Sequence, residues 1–385
     1  MGIGFVLFYA PIFFVNQVGL SATQVGLGIG SEALSGLLGR LLGGSMTDSP
    51  YWGRRRTLLL SALISAIADV FLALAHDFPT FIGGNLLMGV GVGLYWPATE
   101  AAVADITSVS QRNEAFALVR LADNLGLSLG VVVGGALIAS TGSYRALFVV
   151  DGITFLLFFG IVWRAIAETR CRDATPRSFW QGWGIALSDR RLLIYAAANV
   201  VFTGYMAQVH STLPVYLNKF VQGPSGTGLP TAVLSVLFTG HVLLVVLCQL
   251  PIARALKFLP PARSLMISAS LWGLGFVLVW MTGIGNGHPI GGAALALAVM
   301  AIAIAAYTPV ASSLVVALAP DALRGVYLSV NSMCWALGYL IGPPLGGWAL
   351  DQSRASANGF WIGASLSIVG VLAILHVLDR RLEAG

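Results

Sequence analysis

Glu32, Arg40, Asp69, Glu100, Arg120 and Asp123 all lie inside apolar stretches of this 385-residue chain, and each needs a reason to be there. A charge at the centre of a bilayer costs roughly 2.5–3.5 kcal/mol on insertion scales. A carboxyl group held in low dielectric keeps its proton to higher pH than in water, so it can exchange protons near neutrality. The chemistry on offer is proton exchange. Glu32 lies near the middle of its run, flanked by Ser31 and Ser35, with Arg40 two turns on. Asp123 lies about three turns into another run. Both are candidate proton carriers. The alternative for Asp123 is a static pair, because Arg120 stands three residues before it on the same face. Glu100 and Arg120 are expected to neutralise each other between neighbouring helices, with Asp69 near the outer membrane interface. The five histidines show no H-x-x-x-H pattern, and Cys171, Cys248 and Cys334 have no ligand or disulfide spacing. The expectation is a protein that is not an enzyme and has no metal site and no cofactor, driven instead by a proton gradient.

The elements that must hold these residues are membrane helices. The chain is 57% hydrophobic and 10% charged, against about 25% charged in soluble domains. A span needs ~20 apolar residues, so the length allows roughly twelve spans and no sizeable soluble domain. Apolar runs place them at about 1–17, 23–47, 55–76, 80–104, 112–140, 144–166, 190–217, 229–253, 262–284, 289–317, 323–350 and 356–379. Sixteen of the 21 basic residues fall in alternate loops and at the C-terminus, and only Arg145, Lys219 and Arg354 fall in the opposite loops. This bias predicts a cytoplasmic C-terminus. The net charge of +5 is dispersed over those loops and does not point to nucleic acid. The expected setting is a plasma or inner membrane, with the lipid bilayer and a small-molecule substrate as partners and a monomeric state.

The densest charge in the first hundred residues is the turn Gly43–Thr57, with Asp48 and the run Arg54, Arg55, Arg56. Three arginines between two apolar runs cannot lie in hydrocarbon, so this is a tight polar turn on the cytoplasmic side. An internal repeat frames it. At a shift of 212 residues Tyr95, Pro97 and Arg112 fall on Tyr307, Pro309 and Arg324, and Gly126, Gly130, Gly134 and Gly135 fall on Gly338, Gly342, Gly346 and Gly347. Arg56–Leu60 aligns with Arg263–Ile267 at a shift of 207. The copies are parallel, six spans each. The halves are residues 1–166 and 190–385, joined by a polar cytoplasmic linker at 167–189 whose Trp180 and Trp183 suggest an interfacial helix. Pro11 matches Pro214, with ten residues before it against about 24 in the later copy. The inner portion of the first span is therefore expected to be missing, a naturally short span being the alternative.

Twelve helices in parallel six-helix repeats, a basic middle loop and the Gly43–Thr57 turn together resemble the major facilitator superfamily. Its signature between the second and third helices reads approximately G-x-L-[AS]-D-[RK]-x-G-R-[RK], matched by Gly44, Met46, Thr47, Asp48, Gly53, Arg54 and Arg55. Four residues, Ser49 to Trp52, separate Asp48 from Gly53, where the family has two. The resemblance implies a cytoplasmic gate of Asp48, Arg54 and the acidic residue ending the fourth helix, Asp105. Arg55 or Arg56 could take the place of Arg54, and the alternative role is a plain topological anchor. Because the second-half counterpart, Pro251–Arg263, has no acidic residue, the network is expected to be one-sided. The glycines of the fifth helix resemble the drug-antiporter pattern, with Val131 where proline is expected. In this family the second, fourth and fifth helices face the cavity or its gates, which brings Glu32 and Asp123 to the transport path.

Candidate cavity residues are Tyr95, Asn199, Gln208, His241, Tyr307, Asn331 and Trp335. Each polar one could equally make a helix–helix hydrogen bond. The aromatic set favours a lipophilic solute over a sugar. The function expected is secondary active transport by alternating access, as proton-coupled efflux of a lipophilic or amphipathic solute. The alternatives are a metabolite uptake carrier and a non-transporting sensor or scaffold.

Overall fold

The computed structural model describes residues 9–10, 13–14, 17–20, 22–169, 179–221, 228–285 and 288–383. Thirteen α-helices run through them: α1 (Ala22–Asp48), α2 (Gly53–Leu74), α3 (Phe78–Ile106), α4 (Arg112–Thr141), α5 (Arg145–Ala165), α6 (Phe179–Ser188), α7 (Arg190–His210), α8 (Thr212–Lys219), α9 (Thr231–Leu256), α10 (Pro261–Ile284), α11 (Pro289–Leu318), α12 (Arg324–Gln352) and α13 (Arg354–Glu383). Nine of these are long and apolar enough to cross a membrane. The two further long helices, α1 and α12, carry more glycine and polar residues but at 27 and 29 residues have the length to span. The predicted first span, with its expected truncation, falls mostly outside the described residues.

Local chemistry sets the helix starts. Asp77 caps α3 by accepting from the Thr80 N–H at 3.0 Å, with Pro79 in the first turn. Asp189 caps α7 by accepting from the Arg191 and Leu192 N–H groups. Both are residues that leave orphan N–H groups satisfied. One predicted span is divided: 190–217 forms α7 and α8 with a break at Ser211. Pro214, in the first turn of α8, has no N–H to continue the helix from below.

The contacts divide the chain into two compact units. One comprises Met1–Ser108, Val119–Ala186 and Ala319–Met333; the other comprises Val109–Leu118, Leu187–Leu318 and Cys334–Gly385. In the first unit α1 lies so close to α3 that a Cβ on Gly93 would sit 2.5 Å from the Gly36 carbonyl oxygen. Small residues make this approach possible. Phe13, Phe14, Phe81 and Phe148 form a buried aromatic cluster, with Phe14 and Phe81 centroids 4.1 Å apart. In the second unit α10 packs on α11 and α13 around the buried Trp272, Phe276 and Trp361.

The repeat is visible in single hydrogen bonds. Ser61 Oγ donates to the Gly91 carbonyl at 2.8 Å in the first unit, and Ser268 Oγ donates to the Ala303 carbonyl at 2.8 Å in the second. The serines are 207 residues apart and the acceptors 212, the same shifts that align the sequence.

Candidate functional site

The Gly43–Thr57 turn folds so that its signature arginine points inward. The Gly53 N–H donates to the Ser49 carbonyl at 3.1 Å, closing a tight turn that leaves Tyr51 and Trp52 exposed. The two extra residues therefore bulge outward. Gly53 has φ +72°, a conformation that disfavours a side chain, and a Cβ there would lie 2.3 Å from the Glu168 carboxylate. Glu168 accepts from the Arg54 and Arg55 N–H groups at 3.0 and 3.2 Å, capping α2 from 114 residues away in sequence. The carboxylate complements the positive end of the helix.

Arg54 is 1% exposed. It forms ion pairs with Asp105 at 3.0 Å and Asp48 at 3.5 Å, and donates to the Thr47 carbonyl at 2.9 Å. Arg55 and Arg56 turn elsewhere, to the Trp163 and Tyr51 carbonyls. Asp105 also pairs with Arg324 at 2.8 Å and accepts from the Thr169 hydroxyl. Asp48 accepts from the N–H groups of Gly325 and Val326, both at 2.9 Å, which are the first turn of α12. Two charge-assisted bonds at a helix N-terminus make this a firm attachment. The helices touch here: a Cβ on Gly325 would lie 2.6 Å from the Gly44 carbonyl oxygen. Ser329 Oγ donates to the Arg40 carbonyl and Arg40 Nε donates to Ser332 Oγ, both at 2.7 Å. Trp183 of α6 is buried, and its indole N–H donates to Ser45 Oγ at 2.9 Å.

Sequence reasoning did not find Glu168 or the Arg324–Asp105 pair. Their partners are more than a hundred residues away, and only the alignment of Arg112 with Arg324 marked that position. The network is also not the only such pair at the turns. In the second unit Arg254, at the end of α9, pairs with Glu114, in the first turn of α4. Arg254 lies in the Pro251–Arg263 counterpart, which has no acid of its own, and its partner Glu114 comes from the first half of the sequence.

The embedded charges divide into two sets. Arg120 pairs with Glu100 and, at 3.5 Å, with Asp123, while its guanidinium lies 4.7 Å from the Trp96 ring centroid. Tyr95 packs edge-on against Trp96. Glu32 is different: its carboxylate has no hydrogen bond or ion pair among the described residues, and Arg40 acts on it only through its charge. Its backbone is pressed against α3, where a Cβ on Gly89 would lie 2.2 Å from the Glu32 carbonyl oxygen.

The uncharged candidates are mostly tied into helix packing. The Tyr307 hydroxyl donates to Asn199 Oδ1, and its ring stacks on Phe202 at 4.9 Å. Gln208 donates to the Gly342 carbonyl, and His241 Nδ1 lies 2.8 Å from the Leu297 carbonyl. These four residues and Asn331 are 5% exposed or less. Asn331 belongs to the first unit rather than the second. Trp335 is half-buried and continues an aromatic file from Tyr307 to Tyr339, with centroids 6.3 and 6.1 Å apart.

A family model described as Major Facilitator Superfamily matches residues 1–239 and 225–384. A "Na(+), Li(+), K(+)/H(+) antiporter" of Planococcus maritimus is 25% identical over 98% of this chain and 93% of its own. The "Multidrug resistance protein MdtH" of Photorhabdus laumondii is 26% identical over 98% of this chain and 90% of its own. The crystal structure of the human organic anion transporter MFSD10 (TETRAN) superposes with a TM-score of 0.74 at 18% identity, covering 94% of this chain and 88% of that one.

Proposed function

The chain belongs to the Major Facilitator Superfamily, an integral membrane transporter family, and from that premise we propose that it is a proton-coupled exporter of a lipophilic or amphipathic solute. The observation that carries the coupling is the unpaired carboxylate of Glu32. Glu100 and Asp123 share Arg120, so neither can gain or lose a proton without disturbing an ion pair. Glu32 has no such tie among the described residues and is free to exchange. The names of the two relatives, a cation/proton antiporter and a multidrug resistance protein, support the same reading.

In this reading Arg54, Asp48 and Asp105 form a cytoplasmic latch that holds the first turns of α12 against α1. Alternating access requires that attachment to break and re-form as the repeats rock. The basic bias of the loops supports a cytoplasmic latch and C-terminus in a plasma or inner membrane, with the protein acting as a monomer and using the proton gradient in place of any cofactor. The test is transport in everted vesicles with a fluorescent lipophilic cation and an imposed pH gradient. Glu32→Gln is expected to abolish gradient-driven uptake into the vesicles while expression and solute binding persist. Unchanged transport by Glu32→Gln removes Glu32 as the carrier, and absence of proton movement with every lipophilic solute tried removes coupled efflux.

A further inference from the structure

The transport reading leaves two buried acids unused. Asp69 lies five residues before the end of α2, and Asp151 lies in the second turn of α5. Each is 1% exposed. The two helices meet at Gly152, where a Cβ would sit 3.4 Å from Asp69 Cβ and 3.9 Å from its Oδ2. Asp69 therefore lies on the α5 backbone next to Asp151. Neither Asp69 oxygen has a hydrogen-bond partner among the described residues. Asp151 receives one weak bond, from the Thr154 hydroxyl to Oδ1 at 3.2 Å.

Among the described residues the neighbouring elements bring no positive charge to balance them. From α5, Arg145 is engaged by the carbonyls of Ala73 and Ala75 and by His76 Nδ1. From α3, Gly84 packs on Leu72 and Gly91 packs on Ser65 of α2, and its two acids are engaged elsewhere, Glu100 by Arg120 and Asp105 by Arg54 and Arg324. From α1, Glu32 is near enough for its like charge to act on Asp69, as Asp151 does. Ala66, Ala68 and Leu72 of α2 and Phe148 of α5, all buried, flank the two acids in sequence, with the buried Ser65 one turn before Asp69. Two carboxylates side by side in such a place cannot both ionise.

We propose that Asp69 and Asp151 form a buried proton-binding pair between α2 and α5, holding one proton in common at neutral pH. One carboxyl takes the proton from water and donates it to the other, a hydrogen bond that satisfies oxygens otherwise left bare. The bond joins α2 to α5 while the proton is present. Loss of the proton leaves two negative charges facing each other, so the contact weakens as pH rises. The pair titrates as a unit, and its two protonation steps belong to neither residue alone. The pair does not include the Glu32 carboxylate, whose charge nevertheless reaches Asp69, and it stands whatever solute the protein carries.

The test is infrared spectroscopy of the full-length protein in detergent, with aspartate carboxyls labelled with carbon-13. The wild type is expected to show the C=O stretch of a protonated aspartic acid at neutral pH. Asp69→Asn and Asp151→Asn should each remove it. Asp69→Glu should keep a proton-sharing acid pair but move the part of the C=O intensity carried by residue 69 out of the labelled region, which covers a failure of the asparagine variants to fold. The wild-type melting temperature should fall at alkaline pH as the band disappears, and the asparagine variants should lose that dependence. A wild-type spectrum with no protonated-aspartate band overturns the proposal without any variant. A band left unchanged by all three substitutions also overturns it. Sodium, lithium and potassium chloride are added separately as a control: if one of them stabilises the wild type but not Asp69→Asn, the pair binds a metal cation, and the proton assignment falls.

Discussion

Replacing Asp48 by asparagine changes one atom and should release the first turn of α12. The wild-type carboxylate accepts two backbone N–H bonds at 2.9 Å, from Gly325 and Val326, and faces Arg54 at 3.5 Å. Hydrogen bonds to charged groups are worth about 1.5–3 kcal/mol each. Asparagine keeps one accepting oxygen and turns an NH₂ toward the other N–H, so one bond is lost and the remaining one is no longer charge-assisted. The loss is about 2–4 kcal/mol, and at 1.4 kcal/mol per tenfold it shifts the balance toward the released state by roughly 30- to 1,000-fold. The assay is the rate of labelling by a membrane-impermeant maleimide. The reporter is Ser329→Cys, in a background without Cys171, Cys248 and Cys334. Ser329 is buried beside Gly44 and Arg40, so its replacement reacts only when this turn of α12 leaves α1. When opening is fast relative to labelling, the rate follows the released population. The reporter's own loss of a hydrogen bond is common to both backgrounds and cancels in the ratio. Labelling in Asp48→Asn should be faster by at least about 30-fold. An unchanged rate would refute the reasoning, because it would mean that the two bonds add nothing to the attachment.

Gly53→Ala places a side chain at φ +72° and 2.3 Å from Glu168; the left-handed conformation alone costs about 1–2 kcal/mol, so a lower melting temperature of the purified protein is expected, and Gly53→Ala melting with the wild type would contradict this account of the turn. Arg120→Gln leaves Glu100, whose side chain is 4% exposed, without its ion pair; removing one partner of a buried pair costs about 3–5 kcal/mol, and the partial exposure of Arg120 puts the expected loss at the lower end. Adding Glu100→Gln should restore most of it, which a double-mutant cycle on thermal unfolding measures; a strictly additive cycle would show that the pair is not coupled.

The helices were legible in the sequence because the bilayer demands it: apolar runs long enough to span, separated by charges that cannot enter hydrocarbon, leave little freedom for their boundaries. The parallel repeat was legible too, since Tyr95, Pro97 and Arg112 carry a spacing that Tyr307, Pro309 and Arg324 preserve. Asp48, Arg54 and Asp105 could be grouped by the resemblance of their motif. The break at Ser211 could be anticipated only by weighing Pro214 against an otherwise continuous apolar run. What only the tertiary structure decided is which charge meets which. Three consecutive arginines read alike, yet Arg54 alone turns inward, because Gly53 bends the chain and Glu168 holds the N-terminus of α2. Glu32 and Asp123 read alike as embedded acids, and packing gives Asp123 an arginine and leaves Glu32 without a hydrogen bond or ion pair among the described residues. Asp151 stands inside the apolar run 144–166 as the other embedded acids stand in theirs, and that run does not say what it meets. Its meaning depends on Asp69, 82 residues away in the chain and across a helix contact. Periodicity reports how each residue stands toward lipid, whereas the energy of a buried charge depends on the few ångströms around it, and those neighbours come from other helices.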